Sequence, residues 1–96
     1  MTEIYVKLMN KGIKYDEHNK FSFETKDDAT VRDLIDDLHE EYGERFDVYL
    51  EDKDERILRR DAIVVVNGMN MVAKKGEKTK LSKGDLVVFM IAAVGG

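Results

Sequence analysis

The stretch that most constrains this chain is its last apolar run, Leu86-Val87-Val88-Phe89-Met90-Ile91-Ala92-Ala93-Val94, nine residues without a polar side chain. A helix that crosses a bilayer needs about 20 such residues, so this run cannot span a membrane as a helix. It follows the turn signal Lys83-Gly84-Asp85 and is apolar at both alternate sets, the pattern of a strand in the middle of a sheet. Cysteine is absent, which excludes disulfides, thiolate metal sites and a cysteine nucleophile on this chain. The 96 residues suit one small domain, residues 1–96. Met1-Thr2-Glu3 lacks the basic-then-apolar start of a secretory signal, so a cytoplasmic location is expected.

Upstream, the punctuation is carried by glycines and polar clusters, since proline is missing. Ile4, Val6 and Leu8 alternate with Tyr5, Lys7 and Met9, the period of a strand with one buried face. Phe21 and Phe23 alternate with Ser22 and Glu24 after a polar segment, which predicts a hairpin with a long loop. Val31, Leu34, Ile35, Leu38 and Tyr42 recur at helical spacing, with Thr30 as the N-cap, Asp33 at the positive helix start and Gly43 as the stop. Phe46, Val48 and Leu50 suggest a short strand or irregular stretch. Ala62 to Val66 reads as a strand, Asn67-Gly68 as a tight hairpin turn, and Met69 to Val72 as the returning strand.

The order predicts an α+β domain, a mixed sheet of four to five strands with one main helix on one face. One helix covers one face only, so apolar surface on the other is expected to meet a partner.

Charge is unevenly placed: residues 1–15 carry +2, residues 16–55 carry −11, and residues 56–96 carry +5, for a net −4. The acidic middle is a poor match for phosphate backbones, and Lys74, Lys75, Lys78, Lys80 and Lys83 have no interleaved aromatics, so no nucleic-acid binding is expected. Those lysines read either as a solvated connection or as an electrostatic landmark for a protein partner. His18 and His39 are isolated, stand in no metal or triad spacing and read as solvated side chains, and the paired acids Asp36-Asp37 and Glu40-Glu41 read as a solvated helix face. No phosphate loop or nucleophile elbow occurs, and intrinsic catalysis is not expected.

The sequence closes on Val94-Gly95-Gly96. Glycine has no Cβ, so such an end can thread a narrow channel and bring its carboxylate close to a reactive phosphate or thiol. A frayed terminus that happens to be glycine is the plainer alternative.

Taken together, Val66-Asn67-Gly68, Leu81, Lys83-Gly84-Asp85, Val87 to Phe89 and the final Gly95-Gly96 resemble the MoaD/ThiS family of ubiquitin-like sulfur carriers over essentially the whole chain. The resemblance implies a β-grasp fold and a chain that is not itself an enzyme. It implies that an E1-like enzyme adenylates the carboxylate of Gly96, which then becomes a thiocarboxylate, with ATP and magnesium on that enzyme and no cofactor on this chain. Gly95, Val94, Ala93 and Ala92 would form a flexible tail, residues 92–96, threaded into the activating enzyme or a sulfur acceptor such as the large subunit of molybdopterin synthase. Matching the last strand to the family places Val87 and Phe89 under the helix and Val88 and Met90 on the open face as partner contacts. An isolated monomer serving molybdopterin synthesis is the leading expectation. Conjugation to lysines or tRNA thiolation is the alternative, because the molybdopterin subunit commonly has two prolines where this chain has Ile91 and Ala92.

Overall fold

The computed structural model describes residues 1–9 and 20–92. It contains β1 (Thr2–Met9), β2 (Lys20–Thr25), α1 (Val31–Tyr42), α2 (Glu44–Asp47), β3 (Leu50–Asp52), β4 (Ile57–Leu58), β5 (Ala62–Val66), β6 (Met69–Asn70) and β7 (Leu86–Ile91). Two 3₁₀ turns, Met71–Ala73 and Gly76–Lys78, connect β6 to β7. The main sheet runs β2-β1-β7-β5-β6, while β3 and β4 form a separate two-stranded ladder. β7 lies in the middle, parallel to β1 and antiparallel to β5, as its uninterrupted apolar sequence predicts. This is the β-grasp arrangement, five strands in a mixed sheet with α1 on one face.

α1 starts where the capping chemistry says it should. The Thr30 hydroxyl accepts from the Asp33 amide at 3.2 Å, and the Asp33 carboxylate accepts from the Thr30 amide at 3.0 Å, closing a reciprocal capping box. The helix buries Val31, Leu34, Ile35 and Leu38 against Ile4 and Val6 of β1, Val64 and Val66 of β5, and Val87 and Phe89 of β7. Phe89 sits edge-on to Phe46 at 5.2 Å and near Tyr49 at 5.8 Å, so the aromatic centre of the core hangs on β7. Tyr42 closes the other end of the helix against Phe21 at 5.4 Å.

Three local expectations are corrected. Phe46 lies in a second short helix rather than a strand, because the amides of Phe46 and Asp47 both donate to the Gly43 carbonyl at 2.9 Å, and the strand begins only at Leu50. The strand after the hairpin stops at Asn70, whose side-chain oxygen accepts from the Val72 amide at 3.0 Å and curls Met71–Ala73 into a 3₁₀ turn. His39 is not an isolated solvated side chain, since its Nδ1 lies 2.7 Å from Asp47 Oδ1 and ties α1 to α2.

The Asn67-Gly68 turn has positive φ at both residues, 51° and 83°, as the hairpin requires. Asn67 does more than turn the chain. Its amide nitrogen donates to Asp85 at 2.8 Å and its oxygen accepts from the Leu86 amide at 2.9 Å, so the turn also fixes the start of β7.

Candidate functional site

Strand geometry decides which side chains share the uncovered face of the sheet. On β7, Val87 and Phe89 are fully buried under α1, so the alternate residues Leu86, Val88 and Met90 point the other way and are half-buried. The register sets Val88 between Lys7 of β1 and Val65 of β5, Met90 between Met9 and Ile63, and Leu86 beside Tyr5. Val88 and Met90 therefore occupy the open face expected of them, at the centre of an apolar ladder. Tyr5, Met9, Ile63 and Val65 complete that ladder. Tyr5 and Met9 stand in the alternation of β1, but β5 is apolar throughout, so Ile63 and Val65 can be assigned to this face only from the β1–β7–β5 order.

Charge frames the apolar strip on its β2 side. The Lys20 ammonium lies 5.5 Å from the centre of the Tyr5 ring, a cation–π contact that holds the ring across the face. Lys7 is only 8% exposed, so its stem is part of the packed surface beside Val88.

At the far end of β7 the ladder continues through Ile91, opposite Ala62, to Ala92, whose amide donates to the Asp61 carbonyl at 2.7 Å. Arg59 grips the Asp61 carboxylate with two parallel hydrogen bonds of 2.9 Å. A depression of about 530 Å³ lined by Leu50, Glu51, Arg59, Arg60 and Asp61 opens beside this root. Ala93, Val94, Gly95 and Gly96 lie outside the described residues, as does His18. Among the described residues no group of three or more His, Asp or Glu side chains is arranged to hold a metal ion, and no helix is long and apolar enough to cross a membrane.

The sequence model of the ThiS family matches residues 6–96, nearly the whole chain. The chain belongs to the ThiS family. Its fold is shared with small archaeal modifier protein 1 of Methanosarcina acetivorans, at 23% identity and a TM-score of 0.74 over 100% of this chain and 98% of that one. Urm1 of Trypanosoma brucei is 20% identical, with a TM-score of 0.71 over 99% of this chain and 96% of that one. A candidate molybdopterin converting factor, subunit 1, of Pyrococcus furiosus is 20% identical, with a TM-score of 0.66 over 97% and 100% of the two chains. No curated protein matches the chain. ThiS-family membership places the chain among the MoaD/ThiS ubiquitin-like sulfur carriers, and the solved structures share its β-grasp fold. Residues 6–96 include the tail, so the family match reaches Gly95 and Gly96.

Proposed function

We propose that this ThiS-family chain is a sulfur carrier whose Gly96 carboxylate is adenylated by an E1-like enzyme and converted to a thiocarboxylate, serving as the small subunit of molybdopterin synthase. One observation carries the reading: β7 presents Leu86, Val88 and Met90 on the uncovered face and is the same strand that leads into the tail. A partner seated on that face would rest on the strand that the tail follows in the sequence. Val88 and Met90 would be docking contacts, and Ala92, Ala93, Val94 and Gly95 the segment threaded into the partner's channel.

The chemistry asks little of this chain. A carboxylate is a poor acyl donor. Attack of its oxygen on the α-phosphate of ATP expels pyrophosphate and leaves an acyl adenylate. A sulfide-equivalent nucleophile then attacks the acyl carbon and AMP departs, so one carboxylate oxygen is exchanged for sulfur. ATP, magnesium and the sulfur donor belong to the partner, and the acceptor is the large synthase subunit.

A second reading, an activated glycine used for lysine conjugation or tRNA thiolation, draws support from Ala92. Its amide makes a hydrogen bond that a proline, common here in the molybdopterin subunit, cannot make.

Intact-mass measurement after incubation with the cognate activating enzyme, ATP and a sulfur source tests the proposal. A gain equal to one oxygen-to-sulfur exchange is expected, and removal of Gly96 should abolish it. An unchanged mass in the intact chain would overturn the carrier reading. Conjugates carrying a glycine-glycine remnant on acceptor lysines would favour the second. Undiminished function without Gly95 and Gly96 would leave only a plain adaptor.

A further inference from the structure

The connection from β6 to β7 crosses the side of the sheet that α1 covers, away from the ladder of Val88 and Met90. Thr79 accepts from the Val31 amide at 2.9 Å, Thr30 bridges to Lys80, and Leu81 enters the core. Along this crossing Lys74, Lys75, Lys78 and Lys80 are exposed and take part in no ion pair formed by the described residues. The single acid of the segment, Glu77, is already held by Arg32 at 3.0 Å. Together with Thr79 the four lysines wall a depression of about 440 Å³. Beside them Val72 is 77% exposed and Met69 50%.

The patch is held in shape rather than left to drift. Asn70 caps the first 3₁₀ turn, the Lys75 amide donates to the Thr79 hydroxyl at 3.1 Å, and the Arg32–Glu77 pair pins the second turn to α1. Four like charges around one concavity repel one another, and a fixed apolar side chain in water beside them adds an unmet contact.

We propose that the surface from Val72 to Lys80 is a docking site for an acidic protein segment that also carries an apolar side chain. Carboxylates would sit over Lys74, Lys75, Lys78 and Lys80, with the apolar group against Val72. A nucleic acid fits less well. The segment from Met69 to Lys83 has no aromatic on which a base could stack, and the strongly acidic stretch 16–55 of the chain is a poor match for an extended phosphate backbone. The site goes beyond the proposed carrier function and does not depend on it, because it lies on the opposite layer from the open face.

The test is a titration of the ¹⁵N-labelled full chain with a synthetic helical peptide of glutamate and leucine, followed by amide chemical shifts. Saturable shifts centred on Val72 to Lys80 are expected, weakened by salt and reduced roughly tenfold by the combined reversal K74E, K75E and K78E. Val72→Ser should weaken binding several-fold with the charges intact, which simple charge attraction would not do. The same order of affinity should fall when serine replaces leucine in the peptide. No saturable shift, shifts centred on the open face, indifference to Val72→Ser, or tighter binding of an RNA oligonucleotide at the same residues would each overturn the proposal. If the triple variant fails to fold, Lys74→Ser and Val72→Ser carry the test.

Discussion

The amide of Ala92 donates to the carbonyl of Asp61 at 2.7 Å, one residue beyond the end of β7. Because Asp61 is in turn clasped by Arg59, the strand that leads to the tail is tied to the start of β5 up to that residue. Ala92→Pro deletes the donor. It should cost about 1 kcal/mol, read as a fall in Tm of roughly 4–8 °C by calorimetry. An unchanged Tm would mean that the bond does not hold in solution.

Met90→Glu places a charge at the centre of the uncovered ladder between Met9 and Ile63. Partner binding through this face should weaken at least about tenfold in a calorimetric titration with the activating enzyme, while Tm falls by only a few degrees. Undiminished affinity would move the docking surface elsewhere.

Asn67→Ala removes two side-chain hydrogen bonds to the start of β7 and sets alanine, which tolerates the left-handed region less well than asparagine, at φ 51°. The expected loss is about 1–3 kcal/mol in urea unfolding. Asn67→Asp, which keeps the acceptor for the Leu86 amide but sets a second carboxylate beside Asp85, should fall short of full stability and recover on acidification.

Tyr49 is fully buried, and its hydroxyl makes no hydrogen bond among the described residues; burial pushes its ionisation well above the usual phenol range. Tyr49→Phe keeps the ring packed against Phe46 and Phe89 and removes the unpaired oxygen. Stability should be unchanged or rise by up to about 1 kcal/mol. A loss would reveal a partner for that hydroxyl.

Asp37 is held above the ordinary carboxylate range by burial first and then by the charges of Asp33, Asp36 and Glu40. A folded-state value raised above the unfolded one means that the ionised group destabilises the fold at neutral pH and ceases to do so below both values. Asp37→Asn should therefore stabilise at pH 7 by roughly 0.2–0.5 kcal/mol for each of its helix-spaced like-charge pairs, with Asp33 and Glu40, less the attraction to Lys26 that is lost with them. That gain should vanish as pH falls through the raised value and past 3.8. Urea unfolding at the two pH extremes checks the sign.

What could be read from the residues and what could not divide along local and long-range lines. Thr30, Asp33 and Gly43 mark the helix through chemistry confined to its own ends, and Asn67-Gly68 declares its hairpin through backbone conformation alone. Val88 and Met90 are assigned to the open face by the family resemblance, because a run apolar at both alternate sets does not itself say which set the helix covers. The pairing of β7 with β1 leaves no trace in local sequence, and with it went the membership of Tyr5, Met9, Ile63 and Val65 in the uncovered ladder. Phe46 misled because a three-residue alternation is too short to distinguish a strand from one helical turn restarted at Gly43. Asn70 misled because its side chain, not its backbone propensity, ended the strand.

Pairing Tyr5 with Leu86 also has a cost in time. One edge of β1 pairs early with β2, but its other edge must wait for β7 until almost the whole polypeptide has emerged, and contacts so distant along the chain close slowly. A product truncated before β7 would be left with raw edges on β1 and β5 and without Phe89 at its aromatic centre, inviting clumping or proteolysis. The strand that precedes the glycines is thus anchored only once β7 has slotted between β1 and β5.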